Sequence, residues 1–239
     1  MDPTRRTAVT FAVAVQFSRF LVLFATVSVA PLLGVAGWFV GFTANVTCTA
    51  FAALLVTRCR LWGRIGWSWR SRGRASLIWL VPFVVEALLW TLPVGLVDRP
   101  PGFGLWSLSL LLVGVNEELT SRGVILDRLE RAFPAGPAVV ITAALFGLQH
   151  LSAFATTSRD GVDILGNVAA STCFGLALAA YQSRFRWIVP LILAHAVLDT
   201  VTILGARPFG DAVIALMSVA YVGVGVALVR GRPRYVTAG

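Results

Sequence analysis

Two carboxylates and a guanidinium stand where a helix should cross lipid. They are Glu117, Glu118 and Arg122, in the stretch GLWSLSLLLVGVNEELTSRGVIL. The chain has only two histidines, and both lie in apolar segments of the same kind: His150 in ALFGLQH and His195 in LILAHAVLDT, with Asp199 four residues on. Ionisable groups in lipid are costly and must face a bundle interior, where they find partners. Histidine combines proton transfer near neutral pH with metal-ligand capacity. Glu118 and Arg122 are spaced i,i+4 and can pair on one helix face. Glu117 is rotated by about 100° from Glu118, so the spacing predicts one neutralised acid and one left free for chemistry. Phe146 and His150 share a face, as do His195 and Asp199. Three helices thus offer Glu117, His150, and His195 with Asp199, groups that activate water directly or hold a metal that does so.

The elements that must position these groups are membrane helices. The chain is 57% hydrophobic and 13% charged, where a soluble domain carries about a quarter charged residues. An all-α, polytopic membrane protein is expected. Eight apolar spans read from the sequence, at about 9–31, 37–57, 76–97, 104–126, 136–155, 164–182, 187–206 and 211–229, in a single membrane domain over 1–239. The polar residues among them imply an intramembrane cavity. All 20 basic residues are Arg. Alternate connections carry Arg5, Arg6, Arg58, Arg60, Arg64, Arg70, Arg72, Arg74, Arg128, Arg131, Arg184, Arg186, Arg230, Arg232 and Arg234; the others carry only Arg99, Arg159 and Arg207. That bias places both termini in the cytoplasm of a cell-membrane protein and explains the net charge of +9 without nucleic acid. At about 1.5 Å per residue, Glu117 and His195 lie roughly 12–14 Å from their cytoplasmic helix ends, and His150 roughly 21 Å.

Other features read more plainly. Arg19 interrupts the first span, which runs past residue 30 without a small-residue cleavage site, so a retained helix is expected rather than a signal peptide. Arg19 is expected to snorkel or to pair with Glu86 or another buried acid, and Glu86 to make a structural hydrogen bond. The Trp- and Arg-rich loop at 61–74 reads as a membrane-surface anchor. The three Cys form neither a disulfide framework nor a C-x-x-C pair. Neither H-E-x-x-H nor G-x-S-x-G occurs.

Glu117-Glu118-Leu-Thr-Ser-Arg122 matches EExxxR, Phe146-Gly-Leu-Gln-His150 matches FxxxH, and His195-Ala-Val-Leu-Asp199 matches HxxxN/D. In this order on successive helices, over a core of about 100–206, the chain resembles the CAAX protease and bacteriocin-processing family of intramembrane proteases, whose eukaryotic members are the type II CAAX prenyl endopeptidases. The resemblance implies eight helices around a polar cavity open to the cytoplasm, and hydrolysis of a membrane-associated peptide or protein substrate. It implies Glu117 as general base assisted by His150, His195 with position 199 stabilising the oxyanion, and Glu118, Arg122 and Phe146 in support. A second account makes Glu117, His150, His195 and Asp199 a zinc site, which the residue types suit. Position 199 is Asp, where prenyl-processing members usually have Asn. An ionised Asp cannot donate to an oxyanion, so it fits better as a metal ligand or as the group orienting His195. Two other readings of the same residues are a proton-coupled transporter and a non-catalytic immunity or scaffold protein on the same fold.

Overall fold

Buried polarity and exposed apolarity are reversed here relative to a water-soluble protein. Glu118, Asn116 and Arg122 are 1% exposed or less, while Leu32, Val162 and Val219 are at least 70% exposed. An apolar exterior of this extent is a lipid-facing one. The computed structural model describes residues 2–67, 74–92, 95–208 and 210–231. Among the described residues the chain is helical throughout, with one isolated antiparallel bridge between Leu96 and Gly205.

Helix α1 (Pro3–Val29) starts where Pro3 needs no N–H partner and the Asp2 carboxylate accepts from Thr4 N at 3.4 Å. A 3₁₀ turn, Ala30–Leu33, closes on Gly34, whose φ of 83° suits a residue without Cβ. Helix α2 (Trp38–Arg58) returns antiparallel and packs on α1. Helix α3 (Val81–Thr91) follows a 3₁₀ turn. Helix α4 (Phe103–Glu118) runs into a π-helical stretch, Leu119–Ile125, and then α5 (Leu126–Glu130). Helix α6 (Ala135–Leu148) ends in a 3₁₀ turn, Gln149–Ser152, and the short α7 (Ala153–Thr156). Helix α8 (Gly161–Phe185), capped by Asp160, is followed by α9 (Val189–Leu204) and α10 (Asp211–Arg230).

Helix α8 packs between α6 and α10, and α4 packs against α9 and α2. The α6–α8 approach depends on Gly147: a Cβ there would stand 1.9 Å from Thr172 Oγ1 and 2.7 Å from the Val168 carbonyl oxygen. Such close backbone contact is how membrane helices gain packing energy without a hydrophobic drive between them.

Each of the eight apolar stretches contains helix. Among the described residues five runs are long and apolar enough to cross a membrane: Pro3–Leu33, Trp38–Arg58, Ala135–Thr156, Gly161–Phe185 and Asp211–Arg230. The count of eight crossings is therefore not carried by helix length and composition. Ala75–Thr91 and Val189–Leu204 are apolar but shorter, and the run from Phe103 to Glu130 holds Glu117, Glu118, Arg122, Asp127, Arg128 and Glu130. The chain is a multi-pass membrane protein built of apolar helices. Residues 68–73 of the Trp/Arg loop lie outside the described residues; at its start, Trp62 stacks on Trp67 with ring centroids 5.8 Å apart.

Candidate active site

Helix α4 delivers Asn116, Glu117 and Glu118 to the centre of the bundle as its last three residues. The helix then widens into the π stretch that carries Arg122, and every residue from Asn116 to Asp127 is buried. π-Bulges are rare and recur at functional sites. The expected Glu118–Arg122 pair is present: Arg122 Nη1 lies 2.8 Å from Glu118 Oε1, with both side chains wholly buried. Arg122 Nη2 also donates to the Gly175 carbonyl at 3.2 Å, and the guanidinium lies 4.0 Å above the Phe146 ring centroid. Gly175 admits this arrangement, because a Cβ there would meet the Phe146 ring at 2.9 Å.

His195 on α9 is clasped between the two glutamates. Its Nδ1 is 2.8 Å from Glu118 Oε1, so the ring donates that proton to the carboxylate. This fixes the tautomer and aims Nε2 across the site. Nε2 stands 3.7 Å from Glu117 Oε2 and 3.7 Å from Asp199 Oδ2. Both separations exceed a direct hydrogen bond and suit a bridging water.

Glu117 is not the free acid that the spacing predicts. Arg19 Nη2 of α1 donates to its Oε1 at 2.8 Å, and Gln149 Nε2 donates to its Oε2 at 2.6 Å. The Arg19 guanidinium also donates to Asn116 Oδ1 from Nε at 3.2 Å and from Nη2 at 2.9 Å. Gln149 Oε1 in turn accepts from Gln16 Nε2 at 2.7 Å. Arg19 thus has its buried acid, and the acid is Glu117. Glu86 is bonded elsewhere, to the Tyr221 hydroxyl. Gln16, Asn116 and Gln149 carry no charge, so ionisable groups in apolar spans do not point to them. An amide in an apolar helix also needs a partner, and that signal would have found them.

His150 sits on the 3₁₀ turn after α6, half-buried. Its Nδ1 is 3.1 Å from the Phe146 carbonyl oxygen and its Nε2 3.5 Å from Ser171 Oγ. Among the described residues no hydrogen bond or ion pair joins it to Glu117, His195 or Asp199. Phe146 stands between the histidines, edge-on to His150 at 5.5 Å and to His195 at 5.7 Å between centroids.

Two cavities flank the acids. One, of about 360 Å³, lies between α1 and α6 and reaches Arg19, Gln16 and Gln149. The other, of about 200 Å³, is edged by Asp199, Ser171, Asn167, Glu86 and Tyr221. A catalytic zinc needs three protein ligands converging on one point. Among the described residues no group of three or more His, Cys, Asp or Glu side chains is placed to hold a metal ion, and Glu117 already faces a guanidinium.

A buried carboxylate oriented toward a histidine whose tautomer a second carboxylate fixes is an arrangement for proton transfer to and from water. Residues 99–201, which include all three motifs, match the family model described as type II CAAX prenyl endopeptidase Rce1-like. No curated protein matches the chain.

Proposed function

We propose that this chain, which belongs through residues 99–201 to the Rce1-like family of type II CAAX prenyl endopeptidases, is an intramembrane endopeptidase cutting a membrane-associated peptide or protein. The family is one of proteases; the residue roles and the mechanism are our reading. What carries it is the clasp of His195, with Nδ1 2.8 Å from Glu118 Oε1 and Nε2 3.7 Å from Glu117 Oε2.

Each carboxylate oxygen can accept more than one hydrogen bond, so Glu117 Oε2 keeps acceptor capacity beside Gln149. A water bound there loses a proton to Glu117 as its oxygen attacks the peptide carbonyl carbon. The carbonyl electron pair moves onto oxygen. His195, its Nδ1 proton held by Glu118, carries a second proton on Nε2 and donates it as a hydrogen bond to that oxyanion. Collapse breaks the C–N bond, and the proton on Glu117 passes to the leaving nitrogen. Asp199 stands 3.7 Å from Nε2 and orients the ring; an ionised carboxylate has no proton to offer an oxyanion. His150 takes no step, since its Nε2 stands 3.5 Å from Ser171 Oγ and it makes no hydrogen bond to Glu117 among the described residues. Arg19 neutralises Glu117, and among the described residues Glu117, His150, His195 and Asp199 do not converge on one point as metal ligands would. The arginine-rich helix ends, with both termini, are assigned to the cytoplasmic face of the cell membrane.

The test is N-terminal peptide profiling of membranes from cells carrying wild type or Glu117→Gln at matched levels. New protein termini are expected with wild type alone. The same termini in both would refute the assignment.

A further inference from the structure

Away from the acid centre, the arginine-rich end of the bundle holds a cation with no counter-ion. Arg128 on α5 is half-buried, and its Nε is shielded from solvent without a hydrogen-bond partner. Among the described residues its guanidinium makes no ion pair; its one contact of note is with the Phe11 ring, 5.6 Å from the centroid. The neighbouring carboxylate already balances two other arginines. Asp127 Oδ1 is taken by Arg64 at 3.0 Å and Oδ2 by Arg131 at 2.5 Å. Three arginines therefore surround one acid.

Asp127, Arg128 and Arg131 line a crevice of about 330 Å³ whose apolar wall is Phe11, Leu61 and Val124. Phe11 also lines a second crevice, of about 480 Å³, bounded by Arg6, Thr7 and Thr10 at the start of α1. Arg6 likewise has no ion pair among the described residues. The start of α1, the end of α2 at Cys59 and α5 meet here, and the clustering of arginines at these helix ends assigns them to the headgroup level.

We infer that the crevice between α1, the end of α2 and α5 binds the headgroup of an acidic phospholipid, its phosphate on Arg128 and Arg6 and its glycerol against Phe11, Leu61 and Val124. A basic pocket between membrane helices at the headgroup level suits a lipid phosphate through its charge. A neutral phospholipid brings its own cation and gains little. A free phosphate leaves the apolar wall uncovered.

The test does not depend on hydrolysis. Delipidated full-length protein in non-ionic detergent is titrated with phosphatidylglycerol or phosphatidylcholine, and retained lipid is counted by native mass spectrometry. Wild type is expected to prefer phosphatidylglycerol. One arginine near a membrane surface is worth about five-fold in binding of an anionic lipid. Arg128→Gln should therefore reduce the preference about five-fold, and Arg6→Gln with Arg128→Gln about 25-fold. Arg128→Lys should stay within about two-fold of wild type, which separates lost charge from lost fold, and Arg159→Gln, on a loop of the other face, should change nothing. Equal preference in wild type and the double variant, an Arg128→Lys that falls as far as Arg128→Gln, or displacement of the lipid by millimolar inorganic phosphate would each overturn the assignment.

Discussion

Arg19→Gln tests whether a residue of the first helix, outside the matched segment, sets the geometry of the acid centre. The Arg19 and Glu117 side chains are 9% and 10% exposed, so solvent screens their pair little. Removing one partner of a buried pair costs about 3–5 kcal/mol, because the other charge is left uncompensated. Glutamine cannot replace the guanidinium: it offers one amide where Arg19 donates to Asn116 Oδ1, Glu117 Oε1 and, at 3.5 Å, Gln149 Oε1. At about 1.4 kcal/mol per factor of ten, a cost falling wholly on the position and charge of Glu117 lowers kcat/KM by two to three orders of magnitude. Arg19→Lys keeps the charge but loses the two-pronged grip on Asn116, and should lose about ten-fold. The assay is cleavage of a substrate identified by terminal profiling, run beside thermal unfolding in detergent. A falling kcat at nearly constant KM is the expected pattern, and whatever part of the cost the fold bears appears instead as a lower melting temperature and a correspondingly smaller loss of kcat. Wild-type kcat/KM in well-folded Arg19→Gln would refute the reasoning and free Glu117 from any dependence on α1.

Two further outcomes follow from the same contacts. Glu118→Gln leaves Arg122 without its wholly buried counter-ion, at a cost of about 3–5 kcal/mol; it should melt well below Glu117→Gln, in which Arg19 keeps Asn116 and Gln149, and equal melting of the two in detergent would contradict it. Prolonged dialysis against a strong zinc chelator should leave cleavage within about two-fold of untreated enzyme, since no step is routed through a metal; loss of activity restored by added zinc would overturn the metal-free reading.

What was legible in the sequence is local. The Glu118–Arg122 pair and the shared face of His195 and Asp199 follow from i,i+4 spacing, and the π stretch did not disturb the first because both side chains still turn inward. What was not legible is the partner of Glu117. Arg19 is 98 residues away, and nothing in helical periodicity says which face of α1 meets α4. The count of eight crossings is left unconfirmed for a related reason. Hydropathy marks where apolar residues run, but α9 ends at Leu204 after 16 residues, and the charges that make α4 to α5 useful also lower its apolar content.

The depth of His150 joins the two halves of this lesson. Counted along a straight helix, it lay roughly 21 Å from the arginine-rich end, against 12–14 Å for Glu117 and His195. That mismatch was real. Phe146, one turn nearer that end by about 6 Å, lies at the level of His195, and it is Phe146 that meets both His195 and Arg122. His150, beyond it, turns with the 3₁₀ segment toward Ser171. The motif spacing therefore does not bring two histidines onto one carboxylate. It places an aromatic ring between them, so that one histidine is held by the glutamates and the other stands beside Ser171 of α8.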